Sequence, residues 1–373
     1  MQQELNHSQS DSPFFSLMAE AEQIQVHEVE SKQTHILAPF LKTPPQESER
    51  TFLVKIRVSR APISTLPAKQ EVAKKQEAPT ERDKLLENAE ILLRNGDLIL
   101  ARNIYSFLLK SNLKDQQAME GLGICFLKLN EVLAAKKCFK ALWELYQKDD
   151  YAIRLGLCFL ADQDDDTALS CFEKVRNPDG VPSPLRFDFY KSRGNILNRK
   201  DRHAEAETSY FKALQIKPES DVVFVNLGTL ELQRKNPIKA QKYFTRAIEI
   251  HPKSSKGHCG LGMVDLEQGD YFSAGREFKC ALDNDSQNLV ALLQLIYLSD
   301  FSKNYDEAIH RSHQFLDRDP NNAEVRFQLA GLLFRKGQFL EAESEINKAV
   351  KFAPQEPRFK KLKEHLTNNR HRG

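Results

Sequence analysis

The sequence has little glycine for its size and almost no tryptophan: 15 Gly and a single Trp in 373 residues, against 23 Phe. That balance is unlike a glycine-rich α/β enzyme. No phosphate-binding Gly-rich loop, Gly-x-Ser-x-Gly or His-Glu-x-x-His is present, so no catalytic constellation and no cofactor are expected. Long hydrophobic runs are missing too. None approaches the roughly 20 residues that cross a bilayer, which excludes transmembrane insertion of a helix. Near the start, Phe14 to Ala19 is too short for a signal h-region and runs into Glu20 and Glu22. Neither charge sign dominates. Lys+Arg number 54 and Asp+Glu 52, and a net charge of +2 gives no global pull toward nucleic acid or anionic lipid. The six cysteines (Cys125, Cys138, Cys158, Cys171, Cys259 and Cys280) contain no Cys-x-x-Cys pair. They read as reduced, half-buried thiols on helices, which fits a cytoplasmic protein.

Proline is unevenly spread. Pro13, Pro39, Pro44, Pro45, Pro62, Pro67 and Pro79 fall in a segment rich in Gln and Ser with no sustained helical period. Residues 1–81 therefore read as a largely disordered N-terminal arm. Two islands interrupt it: Phe14, Phe15, Leu17 and Met18 suit a short amphipathic turn, and Phe52 to Val58 alternates like a strand.

From residue 82 the chain repeats itself. Gly194, Gly228 and Gly262 recur every 34 residues, with Ile296 and Ala330 continuing the frame. Ala206, Ala240, Ala274, Ala308 and Ala342 form a second series at that spacing. Pro218, Pro252, Pro320 and Pro354 form a third, with Ser286 at the missing step. Such a period implies stacked pairs of antiparallel helices, with small residues where helices cross and a proline to end the second helix.

The pattern resembles the tetratricopeptide-repeat family, which places a small residue at position 8, Ala at 20, an aromatic at 24, Ala at 27 and Pro at 32. Upstream, the frame gives Ala89, Ala101 and Tyr105, then Gly123, Ala135 and Phe139, then Gly156, Ala168 and Phe172. The resemblance implies an all-α, right-handed α-solenoid of about eight helix pairs. Repeats 1–3 would span 82–182 and repeats 4–8 would span 187–356, separated by the frame-breaking stretch Asn177 to Pro184. Residues 357–373 would form a capping helix and basic tail. The unit 289–322 departs from the pattern, with Ile296 at position 8 and Ser312 at 24.

A solenoid of this kind implies a non-catalytic scaffold that binds a segment of another protein in its concave groove. Helical geometry points positions 2, 5, 9 and 12 of each first helix into that groove. In the later repeats this set includes Val222, Val225, Leu232, Met263, Leu266, Val290, Leu293, Tyr297, Phe327 and Phe334, an apolar strip over four repeats. The N-terminal arm is a second candidate occupant, in cis. Lys191, Asn195, Asn226 and Lys256 sit at the spacing of the two-carboxylate clamp of chaperone-binding tetratricopeptide domains, which implies capture of a peptide C-terminus. The clamp's fifth residue, an Arg, is here Gly260.

Other features carry blander readings. His310 and His313, with Asp306 and Asp317, share a helical face but lack a partner set for a metal. Asp162, Asp164, Asp166, Leu169 and Glu173 have calcium-loop spacing, yet Thr167 replaces the required Gly and the frame demands helix there, so an acidic helix-start turn is expected. After Pro357, six Lys and Arg (Arg358, Lys360, Lys361, Lys363, Arg370, Arg372) face Glu364, a feature that would suit nucleic acid but also a solvated cap.

Overall fold

The computed structural model describes residues 80–370, with side chains as far as Thr367. The N-terminal arm with its two islands, and the Arg370 and Arg372 side chains, lie outside the described residues. Among the described residues there are seventeen helices and no strand. They form eight pairs: α1 (Glu81–Asn95) and α2 (Leu98–Ser111); α3 (Gln116–Lys128) and α4 (Val132–Tyr146); α5 (Asp149–Ala161) and α6 (Asp165–Glu173); α7 (Ser183–Arg199) and α8 (His203–Ile216); α9 (Asp221–Gln233) and α10 (Pro237–Ile250); α11 (Ser255–Glu267) and α12 (Tyr271–Asn284); α13 (Leu289–Ser302) and α14 (Asp306–Arg318); α15 (Ala323–Arg335) and α16 (Phe339–Phe352). A last helix, α17 (Pro357–Arg370), closes the array. The fold is an α-solenoid.

Local chemistry sets each boundary. The residue before a first helix is repeatedly a capping type. Asp115, Ser220, Ser254, Asn288 and Asn322 each accept the backbone N–H three residues on, at 3.0–3.4 Å. The turn inside every pair uses one residue in the left-handed region, always at position 15. Gly96, Gly269 and Gly337 serve in three repeats, and Asn130, Gln163, Asp201, Lys235 and Lys303 in the other five, at φ of 54 to 90°. Glycine adopts this conformation freely, whereas a side chain costs about 1 kcal/mol there.

Inside the pairs, the small residue at position 8 lies under the ring at position 24. A Cβ added at Gly228 would come within 2.7 Å of Phe244, and one at Gly262 within 2.7 Å of Phe278. Gly156 under Phe172 and Gly194 under Tyr210 repeat the contact at 2.5 Å. The close approach is therefore of backbone to aromatic ring, where the spacing alone suggested backbone to backbone. Rings also bridge repeats. Phe244 covers Gly260 of the next repeat, where a Cβ would fall at 2.2 Å, and Tyr105 covers Gly121 likewise. Each such ring is buried, a burial worth roughly 1.5–3 kcal/mol.

The frame break between repeats 3 and 4 is filled and braced. A short 3-10 turn, Pro178–Gly180, leads into α7, which begins at Ser183 and is three to four residues longer than most other first helices. The Asp149 carboxylate accepts the backbone N–H groups of Arg176 and Asn177 at 3.1 and 2.7 Å. Val181 and Leu185 are buried in one core that runs from Ile153 to Leu230, and Phe172 meets Phe189 edge to face at 5.3 Å. Apolar packing thus continues across the boundary that the sequence drew between three repeats and five.

Candidate protein-binding groove

The first helices of repeats five to eight, α9, α11, α13 and α15, carry the predicted apolar strip, and its residues divide by exposure. Val222 and Tyr297 are each 50% exposed. Leu266, Val290, Leu293, Phe327 and Phe334 are half-buried. Val225, Leu232 and Met263 are buried, as befits side chains packed between neighbouring helices. At the far end, α17 lies over the strip. Phe359 stacks on Phe327 at 4.8 Å, and His365 meets Phe334 edge to face at 5.5 Å. The accessible portion of the strip is consequently centred on repeats five to seven.

Aromatic residues outside the predicted register extend it. Phe301, at position 13 of α13, and Tyr271, at the start of α12, are 54% and 47% exposed. Tyr271 stacks on Phe301 at 4.9 Å, and Tyr297 meets Phe301 edge to face at 5.1 Å. The one-turn spacing of Tyr297 and Phe301 was the available signal in the sequence; Tyr271 enters only through the fold.

The clamp-like residues are only partly brought together. Asn226 donates to Asn195 Oδ1 at 2.7 Å, and the Tyr210 hydroxyl donates to the same oxygen at 3.0 Å. Lys191 is turned to Asp188 at 2.8 Å, with its ammonium near the Phe187 ring. Lys256 is exposed and bonds to none of the other three. Gly260, standing where the clamp has Arg, leaves the space that the Phe244 ring occupies. A side chain there would have to displace that ring.

Most of the remaining acidic candidates have structural partners. Asp164 caps α6 by accepting the Thr167 N–H at 3.0 Å, and the Thr167 hydroxyl together with that N–H holds its carboxyl below the usual value. Asp162 pairs with Lys136, Asp165 with Arg199 and Asp166 with Lys200, so the acidic turn spreads its carboxylates over three cations. Asp306 pairs with Lys336 at 2.5 Å and His310 bonds Gln314. Among the described residues no group of three or more metal-ligating side chains converges. All six cysteines are free, four buried and two half-buried; burial pushes Cys138 up to about 11 and Cys158 and Cys259 up to about 12. In the tail, Arg358 pairs with Glu324 and Glu356, while Lys360, Lys361 and Lys363 are on or near the surface.

Comparison with known proteins follows the same lines. Sequence models of the tetratricopeptide repeat match residues 86–142 and 301–366. No curated protein matches the chain. Among solved structures, yeast Tom70 is 18% identical, with a TM-score of 0.54 over 82% of this chain and 68% of that one. The APC/C hetero-tetramer Cut9-Hcn1 offers a chain that is also 18% identical, with a TM-score of 0.51 over 77% of this chain. The chain spans 56% of that second neighbour's length. At such identity the likeness is one of fold. No helix among the described residues is long and apolar enough to cross a membrane.

Proposed function

The chain is a tetratricopeptide-repeat protein, and from that premise we propose that it holds a segment of a partner protein along the first helices of repeats five to seven. Protein interaction is the general role of the fold, and this site is its specific expression here. One observation carries the reading: apolar side chains at successive groove positions, Val222, Leu266, Val290, Leu293 and Tyr297, retain access to solvent. The partner segment supplies the missing cover, and its affinity comes from apolar area with a polar rim for specificity. The strip narrows under α17, so the segment ends before repeat eight. Gly260 weighs against a carboxylate clamp, and the pairing of Arg358 with two glutamates weighs against a polyanion as the principal ligand.

Site-directed photocrosslinking tests the proposal. A benzoylphenylalanine placed at Val222 or Leu293 should capture a cellular protein that the same group at Lys242, on α10, does not. That protein should then bind purified full-length chain with little dependence on salt between about 50 and 500 mM, as expected when apolar area dominates. Equal capture from Lys242, or steep loss of binding with salt, would overturn the groove assignment.

A further inference from the structure

The aromatic group at the rim of repeats six and seven has an electrostatic character that the apolar strip lacks. Tyr271, Tyr297 and Phe301 bury one another only incompletely, and Phe272 beside them is 85% exposed. The Tyr271 and Phe301 planes are within 13° of parallel, and both residues keep about half of their surface in contact with water. The face of an aromatic ring is negative and attracts cations.

A carboxylate lies close by in the chain. Glu267 is the last residue of α11, four residues before Tyr271, and the turn between them is tight. Gly269 adopts φ 80°, and the N–H groups of Gly269 and Asp270 are received by the carbonyls of Leu266 and Asp265 at 3.1 and 2.9 Å. Glu267 forms no hydrogen bond or ion pair among the described residues. Protein behind it raises its carboxyl above the usual value, with Lys235 pulling weakly the other way. Of the neighbouring charges, Asp270 caps α12 through the Ser273 N–H at 3.0 Å, and Asp300 is paired with Arg335 at 3.3 Å. Lys303 follows Phe301 at the end of α13.

We propose that this rim binds the guanidinium of an arginine in the partner segment, laid flat on the Tyr271–Phe301 stack and paired with the Glu267 carboxylate. A guanidinium suits both halves of the site. Its plane matches a ring face, it is weakly hydrated, and its fork of N–H donors meets a carboxylate bidentately, whereas an ammonium offers only a hydrated point charge. The arginine fixes the register of a segment that the apolar strip alone would let slide. This refinement rests on the groove as the binding site, but its test does not require the partner.

The full-length protein is labelled with 3-fluorotyrosine, and the fluorine resonances of Tyr271 and Tyr297 are assigned from Tyr271→Phe and Tyr297→Phe. Acetyl-Gly-Arg-Gly-amide is then titrated beside its citrulline and lysine counterparts. The arginine peptide should move both resonances and bind roughly three- to tenfold more tightly than the citrulline peptide, with lysine at least about twofold weaker than arginine. Glu267→Gln should remove part of the preference for arginine over citrulline while leaving the other fluorotyrosine resonances in place, which reports an intact fold. Unmoved resonances, equal binding of arginine and citrulline, or equal binding of arginine and lysine would each overturn the proposal. Photocrosslinking at Val222 and Leu293 can fail while this titration succeeds, so the two conclusions fall separately.

Discussion

In repeat six, Gly262 on the first helix lies under the ring of Phe278 on the second, whereas repeat seven holds Ile296 and Ser312 at the same two positions. All of these residues are buried. Repeat eight takes a middle course with Ala330 and Ile346. The helix pair therefore requires a certain summed volume at this crossing, and either helix can supply the bulk. Repeat seven moves it to the first helix. Its α13 is apolar almost all round, while α14 is strongly polar outside Ile309, Phe315 and Leu316. A helix that is apolar on every side needs cover on every side, and α13 is the one whose Tyr297 and Phe301 remain exposed.

Substitutions can break this comparison at several depths. Solenoid stability is a sum of local terms, so hydrogen exchange of each pair is the appropriate measurement. The largest effect is expected from Phe278→Ala, which should lower protection of α11 and α12 by about 3–5 kcal/mol. Ile296→Ala should cost repeat seven about 2–4 kcal/mol, since there the first helix carries the volume. Gly262→Ile alone should destabilise repeat six by about 1–3 kcal/mol through overpacking. Combining it with Phe278→Ser should restore some of that loss, and a double variant worse than the sum of its single variants would refute the interchange of bulk. Lys303→Gly and Lys235→Gly should each stabilise their turns by up to about 1 kcal/mol, read as slower exchange of the flanking amides, whereas Gly269→Lys should do the reverse.

A pH series separates the first repeat from both. Asp115 is buried and receives Arg82 at 2.7 and 2.9 Å, which together with the Ala118 N–H holds its carboxyl below the usual value. A depressed carboxyl contributes stability that is present above the unfolded value, about pH 4, and is lost as pH falls through the folded one. Protection of α1 and α3, taken relative to the intrinsic exchange rate at each pH, should therefore fall on acidification below about pH 4, and Asp115→Asn should flatten that dependence.

The periodic portion of the fold was legible because sterics wrote it: a ring at position 24 leaves room only for Gly or Ala at position 8, and the constraint recurs in every regular unit. Position 34 carried a second signal, since Asp115, Ser220, Ser254, Asn288 and Asn322 are all capping residues. Position 15 did not announce itself. Lys, Gln and Asp adopt the left-handed conformation there because the helices on either side impose it, and nothing in those residue types records the fact. For the groove, the register named which side chains point inward but not how far their neighbours cover them. Val225, Leu232 and Met263 are buried, and Phe327 is covered by Phe359 from the next unit of the chain. Tyr271 escaped for the same reason: only the turn at Gly269 carries it to Phe301.

The braced stretch between repeats three and four has a mechanical consequence. Pulled at its termini, a stack in which each unit leans on its neighbours yields from the ends inward, because its end units have the fewest neighbours to hold them. The block around Val181 and Leu185 is gripped from both sides and by the Asp149 carboxylate, so it yields last. A segment bound across repeats five to seven lies between that firm middle and the fraying end. Under load its contacts would peel away repeat by repeat, from repeat seven inward, with the middle of the array still standing.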